Sequence, residues 1–220
     1  MSRVTLLRQT IERSADDLRQ TSALATLVKK GGITPRAIAL YLESLRYLFA
    51  SSPELLRTAA ERSDALARPA LGDYFRSKLH EEQGHDSWAA TDLARLPAAV
   101  SAGVRPAQAV VDLVILQRSL IARDPMCYAA YVLWAEYLTT LLGAEWLAAL
   151  AAMGYKREQL SSVAKHLDAD QEHAPRGFDE VEALWQGEPA VAVVVEAVEQ
   201  AARIFRAFCD EICAEAQRAA

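Results

Sequence analysis

Histidine is scarce in this sequence, with four in 220 residues and none before His80. Cysteine is scarcer still. Cys127, Cys209 and Cys213 form neither an even disulfide framework nor the two pairs of a structural zinc site, so reduced thiols and a cytoplasmic chain are expected. No uninterrupted apolar run approaches the roughly 20 residues that cross a bilayer. The greasiest stretches are Cys127–Leu142, broken by Glu136, and the short Ala190–Ala197, which excludes a membrane span. The opening MSRVTLLRQTIERSADDLRQ is amphipathic and charged, without the apolar centre of a secretory signal. Basic residues number 24 against 29 acidic ones, giving a net charge of −5, and they are scattered. A phosphate backbone demands a Lys/Arg stripe, so nucleic acid is excluded as a partner.

What is present is ordinary globular composition, 52% hydrophobic and 24% charged. Apolar residues recur at intervals of three and four almost throughout, alternating strand patterns are lacking, and Ala and Leu abound, so the fold class is all-α. A first helix is expected over Val4–Lys29, ending at Gly31-Gly32. Thr34 caps the next, with Pro35 at its first position, and Ser52-Pro53 is read as the start of another. Further helices are expected from about Pro69 to Leu96, from the Gly103–Pro106 break to Asp124-Pro125, and from Met126 to Met153. One more runs over Lys156–His173, ending before Pro175 and Gly177, and a last one starts at Pro189. Seven or eight helices packing as a single domain over residues 1–220 is the expectation.

The four histidines fall in two carboxylate-rich segments, His80-Glu81-Glu82-Gln83-Gly84-His85-Asp86 and His166-Leu167-Asp168-Ala169-Asp170-Gln171-Glu172-His173. At about 100° per residue, His166, Asp170 and His173 share one helix face, and Glu82 and His85 share another. Glu81, four residues before His85, competes with Glu82 for the same role. Glu136 is isolated in CYAAYVLWAEYLTTLL, a helix apolar nearly all round. A carboxylate buried there must be neutralised, paired or bound to metal. The bland readings are solvated faces for the two segments and an ion pair with Arg118 or Arg46 for Glu136. Taken together, Glu82, His85, Glu136, His166, Asp170 and His173 make a mixed N/O set that suits iron or manganese, with iron preferred. Six donors serve two ions economically: Glu82, His85 and His166 on one, Asp170 and His173 on the other, and Glu136 bridging or completing the second. Glu43 is read as ion-paired or at a solvated edge, with a seventh ligand as the alternative, and Cys127 as a small buried residue rather than a nucleophile.

These residues carry a resemblance. The segment EExGHD at Glu81–Asp86, the isolated Glu136 and HxxxDxxH at His166–His173 together resemble the haem-oxygenase-like diiron oxidases, over about Thr5–Phe208. The resemblance implies a haem-oxygenase-like bundle holding two Fe(II) ions, with O2 as co-substrate. It implies C–H abstraction from a small molecule of amino-acid or fatty-acid type, with Glu136 counted among the catalytic groups. A homodimer is left open. True haem oxygenases hold haem through a histidine in the first helix, which this chain lacks. Two rival readings are a thiaminase-like, metal-free enzyme using Cys127 and a non-catalytic iron-binding helical protein.

Overall fold

The computed structural model describes residues 2–218, the side chain of residue 172 aside. The described residues form ten α-helices and one short 3₁₀ turn, with no strand. They are α1 (Arg3–Thr21), α2 (Ala23–Lys29), α3 (Pro35–Ala65), α4 (Pro69–Glu82), α5 (His85–Ala94), the one-turn α6 (Ala98–Ser101), α7 (Gln108–Arg123), α8 (Pro125–Ala152), α9 (Ser161–Leu184) and α10 (Val191–Arg218). None is long and apolar enough to cross a membrane. Helix α3 packs along α4, α5 and α7, α8 along α9, and α10 along α1, α7 and α8. Two apolar clusters fill the bundle. One is built round Phe75, Tyr128, Leu133 and Trp134, the other round Ile38, Leu42, Leu150 and Phe208.

Several helix starts lie where the sequence places them. Thr34 accepts from the Ala37 amide at the head of α3, and Asp124 accepts from the Met126 amide at the head of α8. Both helices have proline in the first turn, where its missing N–H costs nothing. Two expected breaks do not occur. Helix α3 runs through Pro53, and the hydroxyls of Ser51 and Ser52 donate to the Tyr47 and Leu48 carbonyls in the turn before it. Helix α9 runs through Pro175 to Leu184, because Ala174, Phe178 and Val181 on its inner face are buried. Burying such a face outweighs the roughly 3 kcal/mol that an interior proline costs.

Two other breaks were not expected, and with the short α6 they raise the count from seven or eight helices to ten. Ser22 splits the first helix, closing α1 and capping α2 through its hydroxyl. More consequential is Gln83-Gly84, where Gly84 takes φ +85°, a left-handed conformation that side chains disfavour. Glu82 is therefore the last residue of α4 and His85 the first of α5. They meet across a turn and do not share the continuous Pro69–Leu96 helix read from the sequence.

Candidate metal centre

The inner stripe of α4 reads Leu71, Phe75, Lys78, Glu82, at helical spacing. It passes from the apolar core into charge, with Lys78 as buried as the residues before it. Helix α5 supplies His85, α8 Glu136, and α9 His166, Asp170 and His173. The structure gathers these side chains into two neighbouring sets of three. Ligand atoms of Glu82, His85 and His166 lie within 4.8 Å of one another, as do those of Glu81, Glu136 and His173. Glu81 and Glu82 are thus both at the centre, one in each set. Asp170 belongs to neither set; it is buried and lines the adjoining cavity.

The first set is held by a backbone hydrogen bond and by ring contacts. His166 Nδ1 lies 2.8 Å from the Ser162 carbonyl, an acceptor only, so Nδ1 carries the proton and Nε2 presents a lone pair. That Nε2 is buried with no hydrogen-bond partner. Burial holds the His166 pKa below the ordinary imidazole value, which keeps the ring neutral. Phe49 stacks on His166 at 4.3 Å between centroids, Trp88 stacks on His85 at 4.0 Å, and the two imidazoles meet edge to face at 4.6 Å. Glu82 lies 3.1 Å from His85 Nδ1. Burial pushes the Glu82 carboxyl up, but His85, His166 and Lys78 outweigh it, and its pKa is lowered. A neutral imidazole with an unshared lone pair, a second imidazole and an ionised carboxylate at one point are donors that fit a divalent transition metal.

The second set is arranged differently. Lys78 Nζ lies 2.8 Å from Glu136 Oε1 and 3.0 Å from Glu81 Oε2. The cation facing Glu136 is therefore Lys78, not Arg118 or Arg46, which pair with Glu54 and Glu43. Glu43, held by Arg46 at 2.6 and 2.8 Å, is ion-paired as expected. Burial works against the Lys78 ammonium, yet Glu136 and Glu81 overcome it and hold its pKa above the usual lysine value. Glu136 Oε2 is buried without a partner. Asp170 is pushed up to about 8, first by burial and then by the charges of Glu136 and Glu82.

Two cavities flank the centre, and Lys78 lines both. The larger, about 720 Å3, is walled by Leu48, Phe49, Tyr131, Trp134, Leu138 and Phe205 and has Glu82, His166 and Asp170 on its wall. The smaller, about 440 Å3, is bordered by Asp73, Tyr74, Glu81, His173, Arg176 and Glu180. Cys127 lines neither. It is fully buried, and burial pushes its thiol up to about 11, so it is not a thiolate at neutral pH. Cys127→Ala is accordingly expected to retain more than about half of any turnover, as a buried large-to-small change felt only in packing. A thiol-dependent reaction would instead lose nearly all of it.

Sequence reasoning missed Lys78 and Asp92. Lys78 was legible as the cation in the Leu71–Phe75–Lys78–Glu82 stripe. Asp92, seven residues after His85 on the same face of α5, is fully buried and accepts from Ser161 Oγ at 2.6 Å, the Ser162 amide at 2.7 Å and Ser162 Oγ at 2.8 Å. It ties α5 to the first turn of α9, and so fixes His85 relative to His166.

No protein-family model and no curated protein matches the chain. Solved structures do. A domain of unknown function from Shewanella denitrificans, described as having a haem oxygenase-like fold, superposes with a TM-score of 0.82 at 18% identity, over 97% of this chain and 93% of that one. A CADD-like protein of unknown function from Nostoc punctiforme superposes in two crystal structures at 14% identity. The TM-scores are 0.70, over 96% of this chain and 99% of that one, and 0.59, over 98% and 97%. The architecture expected from the sequence is thus the one observed: the chain has the all-α, haem-oxygenase-like fold.

Proposed function

We propose that the protein is a non-haem iron, O2-dependent oxidase that acts on a small molecule with a largely apolar body. The observation that carries this reading is the Glu82–His85–His166 set, with the lone pair of His166 Nε2 unpartnered beside the large cavity. Two imidazoles and one carboxylate at a single point, with room left for other ligands, are the donor set of non-haem Fe(II) oxygenases. Iron held there would supply O2 activation and one-electron chemistry.

The chain's own groups do the rest. The Ser162 carbonyl fixes the His166 tautomer, and Phe49 and Trp88 lock the imidazole planes, so the ligands need little reorganisation. The aromatic and aliphatic wall takes up an apolar substrate and excludes water. Asp170, on the same wall, is pushed toward its protonated form by burial and by the charges of Glu136 and Glu82, and is placed to pass a proton to the substrate. Glu136, with Glu81 and His173, provides a second cation position beside the first.

The test is anaerobic reconstitution with Fe(II), followed by O2-uptake measurements against a panel of amphipathic amino acids, amines and carboxylic acids. His166→Ala is expected to weaken iron binding more than about 100-fold, beyond the loss typical of a supporting residue, and to abolish uptake. Unchanged iron affinity in that variant would overturn the assignment of this site, as would uptake that persists without iron.

A further inference from the structure

The second set of donors carries a feature that the proposed function does not use. Its three ligand atoms converge, and the position an ion would take among them is approached by an ammonium of the chain itself. Lys78 Nζ bonds Glu136 Oε1 and Glu81 Oε2, one carboxylate from each of two facing helices. Glu81 Oε2 in turn lies 3.8 Å from His173 Nδ1. The side chain of Lys78 is only 7% exposed, and its stem follows the buried stripe of α4. Tyr74 faces the ammonium at 6.0 Å. This is a fixed cation in a built place, not a surface lysine that settled on the nearest acid.

We propose that the Lys78 ammonium holds the second cation position, so that the wild-type centre takes one metal ion, at Glu82–His85–His166, with Lys78 in place of a second. The inference rests on the metal-centre reading above and adds its stoichiometry.

Charge and space favour this arrangement. Glu81 and Glu136 together bring two negative charges to a half-buried place, and one ammonium with the first ion nearby largely offsets them. A divalent ion bound by the same oxygens would sit about 2.0–2.2 Å from them, within roughly an ammonium's diameter of Nζ. Two cations that close repel, the more so because Lys78 and Glu136 are themselves shielded from water. A second ion must therefore evict the ammonium from both carboxylates. The adjoining 440 Å3 cavity into which it would move already has the Arg176 side chain on its border. The competition falls chiefly on the second position, because Lys78 bonds none of the first set's ligand atoms and acts on Glu82 only through its charge.

Lys78 also lies on the walls of both cavities. Held between Glu81 and Glu136, it partitions the polar cavity from the apolar one.

Metal stoichiometry decides the matter. Purified protein, stripped with chelator, is titrated anaerobically with Fe(II) and separately with Mn(II). Bound metal is counted by elemental analysis, and the Mn(II) samples are read by electron paramagnetic resonance. Wild type is expected to saturate at one ion per chain with the spectrum of isolated Mn(II). Lys78→Met, which keeps the stem and removes the charge, is expected to take two and to show a spin-coupled pair. Lys78→Met combined with Glu81→Gln is expected to return to one, and Lys78→Arg to stay at one.

Two ions in wild type would overturn the proposal while leaving the metal centre standing. One ion in a folded Lys78→Met protein would overturn it as well. If Lys78→Met is unfolded without metal, its helical circular dichroism is expected to return on adding Fe(II), with two ions bound; failure to refold with saturating metal also counts against the proposal. No ion in wild type would overturn the metal-centre reading itself, and this inference with it.

Discussion

Asp170→Asn is expected to raise the melting temperature of the metal-free protein at pH 8 by about 4–8 °C and to leave it nearly unchanged at pH 4. Asp170 is buried, beside Glu136 and Glu82, and its carboxyl is pushed up from 3.8 to about 8 in the folded chain. In the unfolded chain it titrates near its ordinary value. Between those two limits the folded state binds the extra proton, so the carboxyl lowers stability progressively as pH rises from about 4 to about 8. Below pH 4 both states are protonated and the penalty vanishes. Above pH 8 it is complete. Every tenfold difference in proton affinity between the two states is worth about 1.4 kcal/mol, which sets an upper bound that relaxation and water entry reduce. A realised gain of about 2 kcal/mol corresponds to the stated rise for a chain of this size. Asparagine is neutral throughout, so the difference between the two melting curves isolates this one group. Paired thermal melts from pH 4 to pH 9 provide the check. A constant offset between variant and wild type across that range would show that Asp170 is already ionised in the folded protein.

How much of this was legible beforehand depended on how scarce the informative residue was. The helical class followed from spacing alone, and the Thr34-Pro35 and Asp124-Pro125 starts followed from capping chemistry that is local in the chain. Pro53 and Pro175 misled because a proline's cost is local, whereas the burial that overrides it comes from helices distant in sequence. The buried faces of α3 around Leu55 and of α9 around Phe178 decided the outcome. Gly84 misled in the opposite sense. One glycine in a polar run reads as tolerable helix, yet with left-handed φ it splits α4 from α5 between two candidate ligands, Glu82 and His85.

At the centre, histidine was informative because only four exist, and Glu136 because it stands alone in an apolar helix. Both facts survive without knowledge of packing. Lys78 and Asp92 are common residue types in segments with many charges; the helical stripe from Leu71 to Glu82 is the one local signal for Lys78, and only tertiary burial distinguishes Asp92 from neighbours such as Asp168. Asp170 illustrates the middle case. Its helical phase with His166 and His173 follows from spacing, but whether it joins a ligand set depends on the relative rotation of α8 and α9, which no single helix encodes.

Asp92→Ala is expected to lower the free energy of unfolding by about 3 kcal/mol, since it strips a buried charged acceptor from several donors at once. The carboxylate is fully buried on α5 and receives the hydroxyls of Ser161 and Ser162 and the Ser162 amide, all in the first turn of α9. Arg95, one turn along α5, adds a contact at 3.1 Å. The carboxylate also faces the N-terminus of α9, where the helix dipole favours negative charge. Alanine leaves a buried amide and two hydroxyls without their acceptor. The consequence reaches the metal centre by leverage. His85 begins α5 and His166 lies one turn beyond Ser162 on α9, so loosening this joint lets the two imidazoles drift apart. A misplacement of that kind typically weakens metal binding about 10–100-fold, the loss seen when a supporting residue of a metal site is removed. Urea unfolding of metal-free protein measures the first effect, and Fe(II) titration of the folded variant measures the second. Asp92→Asn, which keeps one acceptor oxygen and no charge, is expected to fall between alanine and wild type in both. A loss under about 1 kcal/mol in Asp92→Ala would mean that water satisfies the first turn of α9, and that the joint between α5 and α9 is not what holds the two histidines in place.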